Sequence, residues 1–169
     1  MKILVTFALE TEFAPWRTLR KFRRAMWGAV ETHVTEIGGA EVRVVLTGVG
    51  SRQAASAVSN VSWDEPDTMQ FCISSGLAGG LKPAYRVGEV LSARTVVAET
   101  APVDASGGTI ESSSALVSFA ADAGATVVDR FYSAERAVST AHEKRHLGES
   151  AMMHAVPFSG ACTLQRRVP

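Results

Sequence analysis

The chain has few cysteines and no excess of charge of either sign. Its 169 residues include two cysteines, Cys72 and Cys162, too few for the disulfide framework of a small secreted protein. Lysine plus arginine and aspartate plus glutamate number 17 each, so the formal net charge is zero. The broad positive surface that binds nucleic acid is therefore not expected.

Long apolar runs are also missing. No stretch reaches the ~20 apolar residues that a membrane-spanning helix needs. Residues 1–9 lead directly into Glu10 and Glu12, without the small-residue cleavage pattern of a secretory signal. Apolar residues make up 46% of the chain and charged residues 20%, which is typical of a globular domain. We therefore expect a cytoplasmic protein that makes no membrane contact.

Short apolar runs alternate with helical patterns along the chain. The runs that predict buried strands are residues 2–8, 70–74, 87–97 and 125–132. Gly38-Gly39, between β-branched runs at 26–37 and 41–47, predicts a hairpin. Strands that alternate with helices predict the α/β class: a single domain with a mainly parallel sheet that helices cover on both faces.

Three turns that follow predicted strands carry residues suited to a ligand. Glu10 and Glu12 follow the first strand, and residues 48–50 (Gly-Val-Gly) precede an alanine-rich helix whose first N–H groups would be free. Residues 76–80 contain three glycines, so a ligand can lie directly against the backbone. Taken singly, each has a structural explanation, as helix N-terminal charge or as a tight turn. Together they predict one site at the carboxyl edge of the sheet.

The order of these segments resembles the nucleoside phosphorylase and nucleosidase superfamily. The matching stretches are Ala8-Leu-Glu-Thr-Glu-Phe13, Leu46-Thr-Gly-Val-Gly50, Ser74-Ser-Gly-Leu-Ala-Gly-Gly-Leu81 and Val87-Gly-Glu-Val90. They are most similar to the 5′-methylthioadenosine/S-adenosylhomocysteine nucleosidase branch. The resemblance implies a single-domain α/β fold of the nucleoside phosphorylase kind: a mixed, largely parallel sheet flanked by helices, incomplete at the C-terminus. It also implies an enzyme that hydrolyses the N-glycosidic bond of an adenosyl nucleoside, without cofactor or metal.

The resemblance also implies roles for individual residues. Glu12 matches the carboxylate that orients and helps deprotonate the attacking water, beside a sugar that becomes positively charged. The residues implied to bind substrate, under the nucleoside or beside the base, are Gly50, Gly76, Leu77, Ala78, Gly79, Ala137 and Val138. The implied partners are a purine nucleoside and, as is usual in that branch, a second copy of the chain in a homodimer.

Two elements of the resembled family are missing from the sequence. Met153-His154 stand near the place of a Met-Glu pair that holds the ribose hydroxyls, and no Ser-Asp segment follows to protonate the purine. A placed acid typically contributes about 10²- to 10⁴-fold in rate. We therefore divide the chain into a partial nucleosidase-like domain, residues 1–149, and an aberrant tail, residues 150–169. A C-terminal truncation or a frameshift would explain that tail.

Three alternatives remain open. A phosphorylase needs arginines to hold phosphate, whereas Glu10 and Glu12 repel it and no arginine follows Gly79-Gly80 before Arg86, so water is favoured. The second alternative is a catalytically inactive fragment that binds a nucleoside. The third alternative is a nucleotide-binding domain that uses residues 48–50 as a phosphate cradle, although the third glycine of a dinucleotide motif is absent.

Two clusters of charged or ligating side chains are interpreted as solvated. A cluster of basic residues favours an exposed helix face over an anion site: Arg17, Arg20, Lys21, Arg23 and Arg24. His142-Glu-Lys-Arg-His146 formally fits a zinc pattern, but its charged neighbours and the lack of a third ligand favour an exposed helix. We predict no metal, and the sequence leaves the identity of the nucleoside open.

Overall fold

The computed structural model describes residues 1–61, 69–99, 108–134 and 138–150, and the backbone of 155–157. The chain divides into two compact units, whose described parts fall within Met1–Leu77 and Ala78–Phe158. The sequence pattern gave no sign of this division. Among the described residues, no helix combines the length and the apolar character needed to cross a membrane.

The first unit is built on a five-stranded sheet with the order β2-β3-β4-β1-β5. Its elements are β1 (Lys2–Phe7), α1 (Glu10–Leu19), β2 (Arg23–Trp27), β3 (Val30–Ile37), β4 (Ala40–Leu46), α2 (Ser51–Ser59) and β5 (Phe71–Ser74). β1 is parallel to both β4 and β5. β2, β3 and β4 form antiparallel hairpins along one side.

The second unit has a sheet of its own, with the order β6-β10-β9-β7-β8. Its elements are β6 (Ala78–Gly80), β7 (Leu91–Ala98), β8 (Thr109–Glu111), α3 (Ser114–Asp122), β9 (Thr126–Ser133), α4 (Ala141–Ser150) and β10 (Ala155–Pro157). β9 is parallel to β7 and β10, while β6 and β8 are antiparallel to their neighbours. The predicted class, mixed sheet with flanking helices, is confirmed.

The central strand β1 is buried on both faces. One face packs in a cluster that includes α1: Val5, Phe7, Phe13, Val42 and Val44. The other face packs in a second cluster: Leu4, Trp27, Val45 and Val61. Because side chains alternate across a strand, two-sided burial requires the continuous apolar run seen in the sequence. Each large apolar side chain buried in this way stabilises the fold by about 1.5–3 kcal/mol.

Two glycine turns shape the hairpins of the first unit. Gly38 and Gly39 have φ of 57° and 77°, the left-handed pair that a two-residue type I′ turn requires, which confirms the predicted β3–β4 hairpin. Gly28, with φ of 61°, forms a second turn. The single run expected over residues 26–37 is therefore wrong, because Gly28 divides it into β2 and β3.

Some segments expected to be irregular contain short strands. In the predicted turn at residues 76–80, Gly76 alone has a positive φ, of 153°, while Gly79 lies in β6 and pairs with Val156 of β10. Residues 155–157, within the stretch predicted to be an aberrant tail, thus form a strand. Thr109–Glu111 form a further short strand, β8, which pairs with β7. These strands depend on distant partners that local sequence does not reveal.

Truncating one aromatic side chain in the core of the first unit should strongly reduce stability. Phe13 of α1 is 0% exposed and packs against β1. Phe13→Ala should lower the free energy of unfolding by about 3–5 kcal/mol, because it removes the buried ring and leaves a cavity. Phe119→Ala is the control, since Phe119 is 65% exposed. Urea unfolding should show a change within about 0.5 kcal/mol for the control, and equal effects would contradict this packing.

Candidate active site

Three turns of the first unit meet at the carboxyl edge of its sheet. In the parallel register, Phe7 lies opposite Leu46 and Thr6 opposite Ser74, so β1, β4 and β5 end side by side. The turns are joined by backbone hydrogen bonds. Gly48 N–H donates to the Ala8 carbonyl (3.1 Å) and Ser75 N–H to the Thr6 carbonyl (2.9 Å). This places the acidic turn between the two glycine turns.

Glu12 is the buried charge of this edge, with 7% of its surface exposed. Its Oε2 accepts hydrogen bonds from the N–H groups of Ala8 (2.9 Å) and Leu9 (3.0 Å). Its Oε1 accepts one from Leu77 N–H at 2.7 Å. Hydrogen bonds to a charged acceptor are stronger than those between neutral groups, and these three satisfy a carboxylate that water reaches poorly.

The beginning of α1 explains the local half of this arrangement. Leu9 is the N-cap of the helix and Glu12 its third residue, so the carboxylate reaches back to the N-cap N–H. The positive end of the helix dipole favours a negative charge there. Sequence reasoning did not identify the Ala8 and Leu9 N–H groups as partners. The available signal was a glutamate at the third position of a predicted helix.

Gly76 leaves the space that Glu12 occupies. A Cβ at Gly76 would lie 2.6 Å from Glu12 Oε1 and 2.9 Å from its Cδ. Its φ of 153° is also one that residues with side chains rarely adopt. Glycine is thus required here for close approach of a carboxylate as well as for backbone conformation. The acidic turn and the turn after β5 fit together at this one residue.

An aromatic cluster holds α1 against the sheet. The ring of Phe13, next to Glu12 in the chain, lies 4.9 Å from the Phe22 ring and 5.1 Å from that of His33. The ring of Trp16 contacts Phe7 at 5.4 Å in an edge-to-face arrangement. Such pairs favour defined ring orientations. The position of Glu12 is therefore fixed by packing as well as by hydrogen bonds.

Glu10 and Gly50 have different surroundings. Glu10 is about half exposed and forms an ion pair with Arg17 on the outer face of α1, so it does not join Glu12. Gly50 has φ of 94° and is the N-cap of α2, which has no side-chain cap. A helix N-terminus of this kind presents backbone N–H groups. Val49, beside it, is 48% exposed.

The other predicted substrate-binding residues lie in the second unit or outside the described residues. Ala78 and Gly79 belong to β6, where they pair with Pro157 and Val156 of β10. Val138 packs in a cluster with Leu81 that also contains Tyr132. Ala137 lies outside the described residues. For these residues, binding of a nucleoside stays a prediction.

Tyr132 is the titratable member of the Val138 cluster. Burial raises the pKa of its phenol, and the charge of Glu99 and a hydrogen bond to that carboxylate raise it further. The phenol is therefore protonated at neutral pH and has a proton to donate to Glu99.

The described ranges contain no group of three or more His, Cys, Asp or Glu side chains that could hold a metal ion. In the zinc-like pattern at residues 142–146, Glu143 caps α4. Its Oε2 accepts hydrogen bonds from the N–H (3.3 Å) and hydroxyl (2.9 Å) of Thr140, and its own N–H donates to the Thr140 hydroxyl (3.2 Å). This reciprocal capping uses the carboxylate that a metalloprotease would need as its base.

Solved structures share this architecture, although the sequence matches no model of a known protein family. The D198N mutant of Helicobacter pylori 5′-methylthioadenosine/S-adenosylhomocysteine nucleosidase, with 5′-methylthioadenosine in its active site, matches with a TM-score of 0.75 at 21% identity. The match covers 95% of this chain and 76% of that one. The Neisseria meningitidis 5′-methylthioadenosine/S-adenosylhomocysteine nucleosidase in complex with methylthio-immucillin-A matches with a TM-score of 0.75 at 22% identity, and the match covers the same shares of the two chains. A futalosine hydrolase mutant of H. pylori matches with a TM-score of 0.72 at 21% identity, and the match covers 95% of this chain and 81% of that one.

The chain has the fold of these nucleosidases. The fold implied by the sequence resemblance is therefore confirmed. The chain spans about three quarters of the length of the two 5′-methylthioadenosine/S-adenosylhomocysteine nucleosidases. At identities of 21–22%, the likeness concerns the fold, and the activity rests on the site itself.

The fit between Gly76 and Glu12 predicts a selective effect of a single methyl group. Gly76→Ala should destabilise the protein by about 1–3 kcal/mol through backbone strain and should displace the Glu12 carboxylate. Gly38→Ala is the matched control, because Gly38 also has a positive φ but a Cβ added there would meet no atom within 4 Å.

Both variants are compared by urea unfolding and by the amide chemical shifts of Ala8, Leu9 and Leu77. Gly76→Ala should shift all three signals, whereas Gly38→Ala should leave them in place. Unchanged signals in Gly76→Ala would contradict the close approach.

Proposed function

We propose that the protein is a purine nucleosidase-type hydrolase that cleaves the N-glycosidic bond of an adenosyl nucleoside, of the 5′-methylthioadenosine or S-adenosylhomocysteine kind. The observation that carries this proposal is the buried Glu12 carboxylate, fixed by three backbone N–H groups at the carboxyl edge of a parallel sheet. The shared fold supports it. We further propose a cytoplasmic homodimer that acts in purine nucleoside catabolism.

The geometry of Glu12 suits the charge that develops during hydrolysis. As the bond between the sugar and the base breaks, the base leaves with the electron pair and the sugar becomes cationic. A fixed carboxylate stabilises that cation, because it is already oriented and needs no reorganisation. Oε1 accepts one described hydrogen bond, from Leu77, so a lone pair remains for a water proton. The water oxygen bonds to the sugar, and the carboxylate accepts the proton it loses.

The remaining predicted residues would position the nucleoside. Gly50 offers the N-terminus of α2, and residues 76–79 would lie under the sugar and base. Ala137 and Val138 would present backbone groups to the base. The departing purine also needs a proton, and none of the residues assigned a role above supplies one. We therefore expect weak turnover from this chain, and an inactive nucleoside-binding fragment is the outcome if turnover is absent.

The nucleoside itself has a second candidate. The H. pylori futalosine hydrolase shares the fold with a TM-score of 0.72 and is covered over 81% of its length. Futalosine is therefore a substrate to test beside the two adenosyl compounds. Phosphorolysis is less favoured, because the buried Glu12 carboxylate would repel a phosphate nucleophile, and Arg17 is already paired with Glu10.

The proposal predicts that release of free base depends on Glu12 and not on Glu10. The full chain is incubated with 5′-methylthioadenosine, S-adenosylhomocysteine or futalosine in phosphate-free buffer, and free base is quantified by chromatography. Glu12→Gln should lower the rate by at least about 10²-fold, because the uncharged amide neither stabilises the cation nor accepts the proton. Glu10→Gln, two residues away and exposed, should retain the rate.

The other outcomes separate the alternatives. A rate that requires added phosphate identifies a phosphorylase. Saturable nucleoside binding without turnover identifies an inactive binding fragment. Turnover that is equal in wild type and Glu12→Gln would contradict the role given to Glu12.

A further inference from the structure

A surface cleft of about 650 Å³ lies at the other end of the first sheet from Glu12. Its lining includes Lys21, Phe22, Arg23, Val34, Glu36 and Glu41. Lys2, at the start of β1, also lines the cleft, whereas the Glu12 turn follows the end of that strand. A six-residue strand spans about 20 Å, so the cleft is separate from the candidate active site.

The structure divides the basic cluster of residues 17–24 into paired and unpaired members. Arg17 forms an ion pair with Glu10, and Arg24 approaches Glu31 at 3.6 Å. Lys21 and Arg23 line the cleft, and neither forms an ion pair within the described part of the chain. Two cations therefore line one concave surface, and no carboxylate of the described residues lies within ion-pair distance of either.

The backbone that carries Lys21 is fixed to the sheet. The Thr35 hydroxyl of β3 donates a hydrogen bond to the Lys21 carbonyl at 2.9 Å. Arg23 begins β2 and lies opposite Val34 in the register of β3. Because both positions are held by the sheet, little backbone has to be ordered when a ligand binds.

The opposite side of the cleft sets the size and charge of a ligand. Glu36 and Glu41 are direct cross-strand partners, and Arg43 neutralises Glu41 at 3.2 Å. Glu36 has no ion pair among the described residues, so it would repel a polyanion. The half-buried Phe22 supplies an apolar surface in the cleft, with a small contribution from Val34, which is 3% exposed. These features favour a compact molecule with one anionic group and an apolar body.

We propose that this cleft binds a small organic oxyanion, a carboxylate or a phosphate monoester, through Lys21 and Arg23, with its apolar part against Phe22 and Val34. The site is independent of the proposed nucleosidase activity. Because the charges are exposed and screened by solvent, the dissociation constant is expected on the order of 1 mM.

Benzoate and phenyl phosphate serve as probes of the full chain, with sodium chloride at matched ionic strength as the reference. Proton–nitrogen spectra should show saturable shifts of the Lys21, Phe22, Thr35 and Glu36 amides. Tighter binding of benzoate assigns the site to carboxylates, and tighter binding of phenyl phosphate assigns it to phosphate esters. Shifts no larger than those produced by chloride would overturn the proposal.

Neighbouring arginines provide the matched variants. Arg23→Ala should weaken binding about tenfold, because it removes the guanidinium that would form charge-assisted hydrogen bonds to the anion. Arg24→Ala should leave binding unchanged, since successive residues of a strand point to opposite faces. Glu36→Gln should strengthen binding about two- to threefold by removing a repulsive charge. If Arg23→Ala and Arg24→Ala weaken anion binding equally, the anions are attracted by the general surface charge, and the proposed site at Arg23 is contradicted.

Discussion

The buried negative charge of Glu12 is the constraint on which the carboxyl edge of the first sheet depends. A carboxylate removed from water is strongly destabilising unless hydrogen bonds replace those it loses. Glu12 obtains them from two segments that are far apart in the chain, the turn after β1 and the turn after β5. The two turns must therefore lie at a fixed spacing whenever Glu12 is folded and ionised.

The rest of the first unit supports that spacing. The parallel register of β1 with β4 and β5 brings the strand ends together. Gly76 removes the Cβ that would collide with the carboxylate. Phe13 fixes the beginning of α1 against the sheet and thereby the direction in which Glu12 points. A reactive carboxylate is most useful when its orientation is determined before substrate arrives, and these contacts provide that orientation.

The sequence predicted the features that depend on neighbouring residues. The apolar run of β1, the Gly38-Gly39 hairpin and the acidic start of α1 follow from local patterns, and Glu12 was identified through a family resemblance. The partner of Glu12 Oε1 was not predicted, because Leu77 N–H is 65 residues away and carries no side-chain signal. The strand at residues 78–80 was missed for a similar reason, since it exists through pairing with residues 155–157. The roles of Ala78, Gly79, Ala137 and Val138 stay predictions.

The most direct test of the account is hydrogen exchange at the Leu77 amide. Leu77 is 63% exposed and lies beyond the end of β5. Without a hydrogen-bond partner, the Leu77 amide should therefore exchange at close to the rate of an unfolded peptide. Because Glu12 Oε1 accepts its hydrogen bond, this amide should be protected in the wild-type protein and should lose its protection in Glu12→Ala, while amides in the centre of β1 stay protected. A Leu77 amide that exchanges at the unprotected rate in both proteins would contradict the link between the two turns.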